Sequence, residues 1–128
     1  MSKNTSPEEN NSAQSKNFSQ NCEVRYSVDF RRDSKRLNKK YASLADEIEE
    51  LAEELRTNPK KGTSLGHSCY KIRLAIKSKG KGKSGGARVI TYYYIHGNTV
   101  YLLSIYDKAE QENISEEKIV ELLQGIKE

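Results

Sequence analysis

Basic side chains recur at alternating positions of a short segment in the middle of the chain. Lys71, Arg73 and Lys77 are separated by even numbers of residues, so a β-strand through them would present all three on one face. Side chains two residues apart on such a face are about 6.5 Å from each other, near the spacing of successive phosphates. Solvated strand faces usually mix charges of both signs, and this one does not. We interpret it as a surface for a polyanion, with a solvated strand face as the alternative.

Three further residues with suitable chemistry follow on the next two predicted strands. Arg88 begins the central strand, where a charged side chain is costly unless it is paired or functional. Tyr106 and Lys108 close the last strand on the same side as each other. Cleavage of RNA by its own 2′-OH needs a base, an acid and groups that stabilise a charged phosphorane. Arg73 and Arg88 suit the stabilising role, and a lysine or tyrosine would be the base, because nearby cations favour neutral lysine and ionised tyrosine.

The glycine-rich segment 78–86 adds more positive charge. Its glycines at 80, 82 and 85 match G-x-G-x-x-G, but that motif binds dinucleotides only where it leads into a helix, and here a strand follows. A Walker loop is excluded because Lys77 occupies the position that requires glycine. We predict a flexible loop that contacts RNA backbone through Lys79, Lys81 and Lys83, with a plain solvated hairpin loop as the alternative.

Metal and histidine chemistry find little support in this sequence. His67 and His96 are isolated, and neither has a second ligand or a carboxylate at motif spacing. Cys22 and Cys69 form no C-x-x-C pair, so we predict neither a metal, a cofactor nor a disulfide. The run Tyr92, Tyr93 and Tyr94 is ambiguous, since strand tyrosines either pack or stack on bases, and packing is the commoner role.

The elements that must position these residues can be predicted from periodicity. Residues 1–21 are almost without apolar side chains, and we expect a disordered tail there, followed by one domain over 22–128. A short alternating strand at 24–28 precedes two helices over 29–57. Three strands follow near 70–77, 88–95 and 99–106, and a last helix begins after Ser115. The predicted fold is α+β, with the order β-α-α-β-β-β-α and a helical hairpin covering one face of a small twisted antiparallel sheet.

Local signals set the predicted helix limits. Ser27 or Asp29 can cap the first helix, and Ser43 with Asp46 resembles a capping box at the second. The glutamates of the second helix, Glu47 among them, should lie mostly on its solvent side. Asn58 and the proline after it end the helix, because proline disfavours helix at the preceding residue.

Charge is distributed unevenly along the 128 residues. The net charge is +4, yet all 18 acidic residues lie outside the stretch from Pro59 to Tyr106, which holds nine Lys or Arg. Such a field of one sign favours a polyanionic partner, with a merely soluble basic surface as the alternative. No apolar run suggests a signal peptide or a membrane span, so we expect a cytoplasmic protein without membrane contact.

Three segments together resemble the RelE/ParE superfamily of type II toxins. They are Cys-Tyr-Lys-Ile-Arg-Leu at 69–74, Ser-Gly-Gly-Ala-Arg-Val-Ile at 84–90 and Leu-Leu-Ser-Ile-Tyr-Asp-Lys at 102–108. The Lys-Gly-Lys-Ser-Gly-Gly loop and the Ile-Tyr-Asp-Lys ending look most like the HigB-type RelE branch. By motif, Lys71 and Arg73 match the family's basic pair, and Arg88 matches its phosphate-stabilising arginine. Lys108 falls where relatives have arginine. Their C-terminal catalytic tyrosine aligns near Ile114, so Tyr106 is the substitute candidate.

The resemblance implies a microbial-RNase-like fold and a specific activity. It implies ribosome-dependent endoribonuclease cleavage of mRNA, inhibition of translation and neutralisation by a cognate antitoxin protein, with operator DNA reached only through the antitoxin complex. Two other classes use the same fold or the same charges. One is a ParE-like inhibitor that binds DNA gyrase and cleaves nothing, and the other is a passive RNA- or ribosome-binding module.

Overall fold

The structure is a computed structural model, and it describes residues 21–126. The predicted disordered tail therefore lies outside the described residues, apart from Asn21. The carbonyl of Asn21 accepts a hydrogen bond from Asn98 Nδ2 at 3.3 Å. Cys22 is buried, and its backbone N–H donates to the carbonyl of Arg56 at 2.8 Å. Cys22 is thus the first of the described residues that packs into the core.

A strand and two consecutive helices open the domain, as the sequence predicts: β1 (Glu23–Tyr26), α1 (Val28–Lys40) and α2 (Leu44–Thr57). Ser27 caps α1, since its hydroxyl accepts a hydrogen bond from the N–H of Phe30 at 3.0 Å. The predicted capping box of Ser43 and Asp46 is wrong. The Ser43 hydroxyl bonds instead to Glu47 Oε2 at 3.2 Å, and Glu47 is buried, not on the solvent side.

The rest of the chain builds a five-stranded sheet in the order β1-β5-β4-β3-β2. The strands are β2 (Thr63–Gly66), β3 (Cys69–Leu74), β4 (Ala87–Tyr94) and β5 (Thr99–Asp107). The predicted antiparallel meander is confirmed for β3, β4 and β5, while β1 runs parallel to β5. The sequence analysis missed β2, because Leu65 is its only apolar residue and gives no alternation. Its turn into β3 uses positive φ at His67 and Ser68.

The connection from β3 to β4 is more ordered than the predicted loop. β3 ends at Leu74, so the prediction that Lys77 lies on the strand is wrong. Residues Lys77–Lys79 form a 3₁₀ turn, and Gly82–Gly85 form a short helix, α3. Gly86 then passes close to β3. A side chain there would clash with the carbonyl oxygen of Leu74, because an added Cβ would lie 2.1 Å from it.

Hydrophobic side chains form a core on each face of the sheet. On one face, Phe30, Leu37, Leu44 and Leu51 of the helical hairpin pack on the sheet, which confirms the predicted layer. On the other face, α4 (Glu116–Gln124) covers part of the sheet, with Ile119 and Leu122 packed among residues that include Ile90, Leu103 and Tyr106. The predicted cap of α4 is confirmed, since Ser115 Oγ accepts from the N–H of Lys118 at 3.1 Å. None of the helices in the described part could cross a bilayer.

Candidate active site

Strand register brings three of the predicted site residues into one line. Arg88 of β4 lies directly opposite Arg73 of β3 on one side and Tyr106 of β5 on the other. Directly opposed residues have Cβ atoms about 5 Å apart on the same face. We call Arg73, Arg88 and Tyr106 the basic row. Lys71 lies two residues further along β3 on this face, opposite Ile90.

Arg88 is held by main-chain carbonyls. It is 5% exposed, and its Nη1 donates to the carbonyls of Lys83 at 3.0 Å and Ala87 at 3.1 Å. Its Nη2 donates to the carbonyl of Ser84 at 3.1 Å. The contacts to Lys83 and Ser84 satisfy carbonyls of α3, and the contact to Ala87 reaches the first residue of β4. Arg88 therefore fastens the lysine-bearing turn to the sheet and places a cation beside Arg73.

Arg73 and Lys71 differ from Arg88 in exposure. The Arg73 side chain is exposed and that of Lys71 half-buried, and among residues 21–126 neither forms an ion pair with a carboxylate. Like charges directly opposite each other in a sheet are destabilising. The Arg73–Arg88 pair is such an arrangement, and the hydrogen bonds that Arg88 makes to α3 account for only one of its two cations. An anion bound by the exposed guanidinium of Arg73 would reduce the repulsion between the two charges.

Tyr106 is more buried than a surface base would be. It is 4% exposed, and its hydroxyl is a buried polar atom without a hydrogen-bond partner in the described structure. Burial raises its pKa above the usual value, and the nearby charge of Arg88 lowers it by less. The expectation of an ionised tyrosine is therefore wrong for Tyr106. A protonated phenol can donate a hydrogen bond or a proton, and it cannot act as the base.

Lys108 follows β5 directly and is half-buried. Its backbone N–H donates to the carbonyl of Gly86 at 3.0 Å, which extends the β4–β5 ladder toward α3. This places Lys108 near the end of the basic row, without a carboxylate partner among the described residues.

Lys79 departs most from its predicted surroundings. Its Nζ lies 2.5 Å from Oδ1 of Asp107, and the Lys79 side chain is only 10% exposed. Asp107 is fully buried and also accepts from Tyr41 Oη at 2.6 Å and from the N–H of Ala109 at 2.9 Å. Although burial opposes it, these donors, Lys79 foremost, lower the pKa of Asp107 to about 2. The charge of Lys79 is thus matched inside the protein, and we leave Lys79 out of the proposed RNA surface.

The other three predicted RNA-contact lysines remain on the surface. Lys77, Lys81 and Lys83 have exposed side chains, and none of them forms an ion pair within the described residues. Lys77 is fixed through its backbone, since its N–H donates to Glu47 Oε2 at 2.6 Å. Arg73, Lys77 and Lys83 line a cavity together with Glu47, Glu50 and Glu54 of α2, so acidic side chains border the cationic surface around the basic row on this side.

Sequence reasoning missed Asp107, Tyr41 and Glu47. A signal for Asp107 was present, because it is the first acid after Glu54 and follows a β-former run. A carboxylate buried at the end of a strand needs a cationic partner. Spacing along the sequence does not show that this partner is Lys79, which is 28 residues away. Glu47 gave no signal, since its neighbours in sequence are also acidic.

Histidines and cysteines stay apart from the basic row. His67 Nε2 lies 3.1 Å from Glu116 Oε2 on the surface. Cys22 and Cys69 are free and buried, and burial raises the pKa of the Cys69 thiol to about 11. Among residues 21–126, no group of three or more His, Cys, Asp or Glu side chains could hold a metal ion.

Comparison with known proteins agrees with this architecture. Residues 26–126 match the model of the family described as RelE toxin of the RelE/RelB toxin-antitoxin system. The chain is similar to a double mutant of the Escherichia coli toxin RelE in the free state, with 16% identity and a TM-score of 0.54. That match covers 84% of this chain and 99% of the other. A Mycobacterium tuberculosis RelBE2 toxin-antitoxin complex matches with 18% identity and a TM-score of 0.49, over 70% of this chain and 93% of the other. The chain belongs to the RelE toxin family and is a type II toxin of the RelE/ParE superfamily.

Proposed function

We propose that this toxin is an endoribonuclease that cleaves mRNA on the ribosome and so inhibits translation. The observation that carries the proposal is the direct opposition of Arg73 and Arg88, two cations on neighbouring strands with no carboxylate between them. A phosphate that becomes more negative in the transition state is the ligand that such a pair would bind best. Membership of the RelE toxin family supports the same conclusion.

The residues of this face divide the chemistry between them. Attack of the ribose 2′ oxygen on phosphorus forms a new P–O bond, and the bond from phosphorus to the 5′ oxygen of the next nucleotide breaks. Arg73 binds a non-bridging phosphate oxygen, because its guanidinium is exposed and planar. Arg88 is buried directly opposite Arg73 and adds a second positive charge whose position is fixed by its hydrogen bonds. Lys71 and Lys108 lie on either side and are the candidates for removing the 2′ proton.

Tyr106 is the candidate for the acid. Its phenol stays protonated at neutral pH, since burial raises its pKa. The proton would go to the departing 5′ oxygen, which leaves a hydroxyl. In the described structure the hydroxyl is buried, so substrate would reach it only after the side chain or α4 shifts. We therefore assign Tyr106 the donor role and not the base role.

The ribosome supplies the substrate alignment that this face of the sheet lacks. The described residues hold no histidine in the basic row and no carboxylate that could orient the lysines. Holding the 2′ oxygen in line with phosphorus can contribute several kcal/mol to catalysis, about 7–11 in well-oriented intramolecular systems. An mRNA fixed by ribosomal RNA would provide that alignment. The HigB-type branch is the part of the superfamily that we propose for this chain.

A cognate antitoxin is the expected neutralising partner. It would place acidic residues over Lys71, Arg73 and the turn that carries Lys81 and Lys83. Steering by opposite charges makes such an association fast and sensitive to salt. If association rates were the same at low and high salt, the antitoxin would have to dock elsewhere, for instance on the helical hairpin.

The experiment that tests the proposal uses purified protein with an mRNA programmed into ribosomes. Cleavage products should appear within the A-site codon with ribosomes and be almost absent without them. Arg73→Met and Lys71→Met should each lower the single-turnover rate by at least tenfold. Lys60→Met is the matched control, because Lys60 is an exposed lysine of the same acid-free stretch outside the basic row. Inhibited gyrase supercoiling with intact mRNA would support the gyrase alternative, and ribosome binding without cleavage would support the passive module.

A further inference from the structure

A groove lined by tyrosines lies at the other end of the sheet face that carries the basic row. Tyr92 and Tyr94 alternate along β4, and Tyr101 of β5 lies directly opposite Tyr92. The three side chains thus share the face of Arg88, while Tyr93 points to the helical hairpin and donates to Asn98 Oδ1 at 2.8 Å. We call the cavity at these three rings the tyrosine groove. It encloses about 640 Å³ and is also lined by His67, Ser68, Leu123 and Ile126.

The rings in the tyrosine groove are stacked in series, with their planes nearly parallel. The ring centroids of Tyr92 and Tyr101 are 6.0 Å apart with an interplanar angle of 25°. Those of Tyr92 and Tyr94 are 6.5 Å apart at 23°. Tyr94 is 42% exposed, so one end of the series remains open to solvent. Tyr92 and Tyr101 are partly buried against the second core, so the exposed ring of Tyr94 beside the cavity is the part of the series that indicates a ligand site.

The groove is continuous with the basic row along the strands. Lys71 lies opposite Ile90, and Tyr92 is two residues, about 6.5 Å, beyond Ile90 along β4. Tyr92 is four residues, about 13 Å, from Arg88 on the same strand. Ile90 between them is covered by α4, whereas Lys71 is half-exposed, so the open connection runs along β3. The spacing suits a single strand that has one phosphate on the basic row and a base about two or three nucleotides further along at the tyrosines.

We propose that the tyrosine groove is a stacking site for one unpaired nucleobase of the RNA whose phosphate lies on the basic row, an inference that rests on the proposed function. Flat rings with polar edges match both properties of a base: its π-face stacks on tyrosine and its edge can bond to the hydroxyls. An aliphatic peptide side chain would use the rings but leave the hydroxyls unpaired. The walls formed by Leu123 and Ile126 close the groove on its other side.

The strained turn at the rim supports a binding role. His67 and Ser68 have φ values of 56° and 60°, a conformation that costs free energy in residues with a Cβ. The turn places both residues on the cavity wall, with His67 bonded to Glu116 at the start of α4. Two elements therefore hold the rim of the groove in place. A fixed rim lowers the entropic cost of confining a base.

The test compares two short RNAs that cannot be cleaved because their sugars are 2′-O-methylated. One carries 2-aminopurine at its central position, and the other carries an abasic sugar there. The full-length wild-type chain should bind the 2-aminopurine RNA at least about fivefold more tightly than the abasic RNA, with quenched fluorescence, as expected for one stacked base. Tyr94→Leu should abolish that difference, and Tyr94→Trp should restore it. Tyr70→Leu is the control, since Tyr70 occupies the opposite face of β3.

The outcomes separate this inference from the proposed function. Equal binding of the two RNAs by the wild-type chain, or of the 2-aminopurine RNA by wild type and Tyr94→Leu, overturns the stacking site even if ribosomal cleavage is intact. Loss of antitoxin binding in Tyr94→Leu with unchanged RNA discrimination would assign the groove to protein and overturn it as well. Stacking without ribosomal cleavage would instead uphold the groove and remove the nuclease proposal.

Discussion

Replacing Lys79 by methionine should destabilise the fold, whereas the same change at Lys81 or Lys83 should not. The three lysines lie at alternate positions of one glycine-rich segment, and sequence alone predicts one role for all of them. In the structure, only Lys79 is bonded to the buried carboxylate of Asp107. Lys79→Met keeps the length of the side chain and removes its charge. The exposed lysines therefore provide two matched controls within the same segment.

The size of the effect follows from the Asp107 carboxylate. Its pKa falls from 3.8 to about 2, and 1.36 kcal/mol per pKa unit gives about 2 kcal/mol of stability at neutral pH. Removing one partner of a buried ion pair costs about 3–5 kcal/mol. Asp107 retains Tyr41, the N–H of Ala109 and the charge of Lys40 at 3.9 Å in the variant, so we expect about 2–3 kcal/mol. For a domain of about 100 residues this lowers Tm by roughly 10–20 °C.

Urea unfolding at pH 7 measures the change directly. Because the folded pKa of Asp107 is lowered, its contribution is fully present above about pH 4 and is lost as pH falls toward 2. The wild type should lose that stability over this range, and Lys79→Met should lose less of it. A double-mutant cycle with Asp107→Asn should show a coupling of more than about 1 kcal/mol. If Lys79→Met cost no more than Lys81→Met, within about 0.5 kcal/mol, the structural role of Lys79 would be refuted.

Two further substitutions test the basic row. Tyr106→Phe removes a buried hydroxyl that has no partner, so urea unfolding should show unchanged or slightly higher stability while single-turnover cleavage falls by at least tenfold; full cleavage would exclude the tyrosine as the acid. Arg88→Met should speed hydrogen exchange of the amides in 82–86, because three carbonyl bonds are lost, and should also slow cleavage. Arg73→Met should slow cleavage alone, and unchanged exchange in Arg88→Met would mean that Arg88 does not fasten the turn.

Periodicity predicted the layers of this fold because each layer has a strong apolar pattern. The stripe Leu44, Ile48, Leu51 and Leu55 predicted α2, and the β-former run after Arg88 predicted the central strand, which is buried on both faces. β2 could not be predicted, because its pairing with β3 depends on the turn at 67–68 and not on its own side chains. Element prediction was thus accurate where burial is periodic and failed where tertiary contacts decide.

The sequence predicted which residues belong to the candidate site, but it did not predict their burial or their hydrogen-bond partners. The sequence indicated Arg73, Arg88 and Tyr106 as candidates on three successive strands, and the register of the sheet makes them neighbours on one face. Burial was not predictable, since it depends on where α3 and α4 pack. Burial raises the pKa of Tyr106, and carbonyls of α3 accept hydrogen bonds from the guanidinium of Arg88. Lys79 shows the same limit, because its partner Asp107 is 28 residues away in sequence.

Mapping the 5′ ends of cellular mRNA after brief induction tests the central claim most directly. The nuclease account predicts new 5′ ends inside translated reading frames, in phase with codons, and their loss when a start codon upstream is removed. Arg73→Met should abolish these ends at equal protein level, and Lys60→Met should retain them. Growth arrest with no new 5′ ends, or ends that ignore the reading frame, would contradict ribosome-dependent cleavage by the basic row.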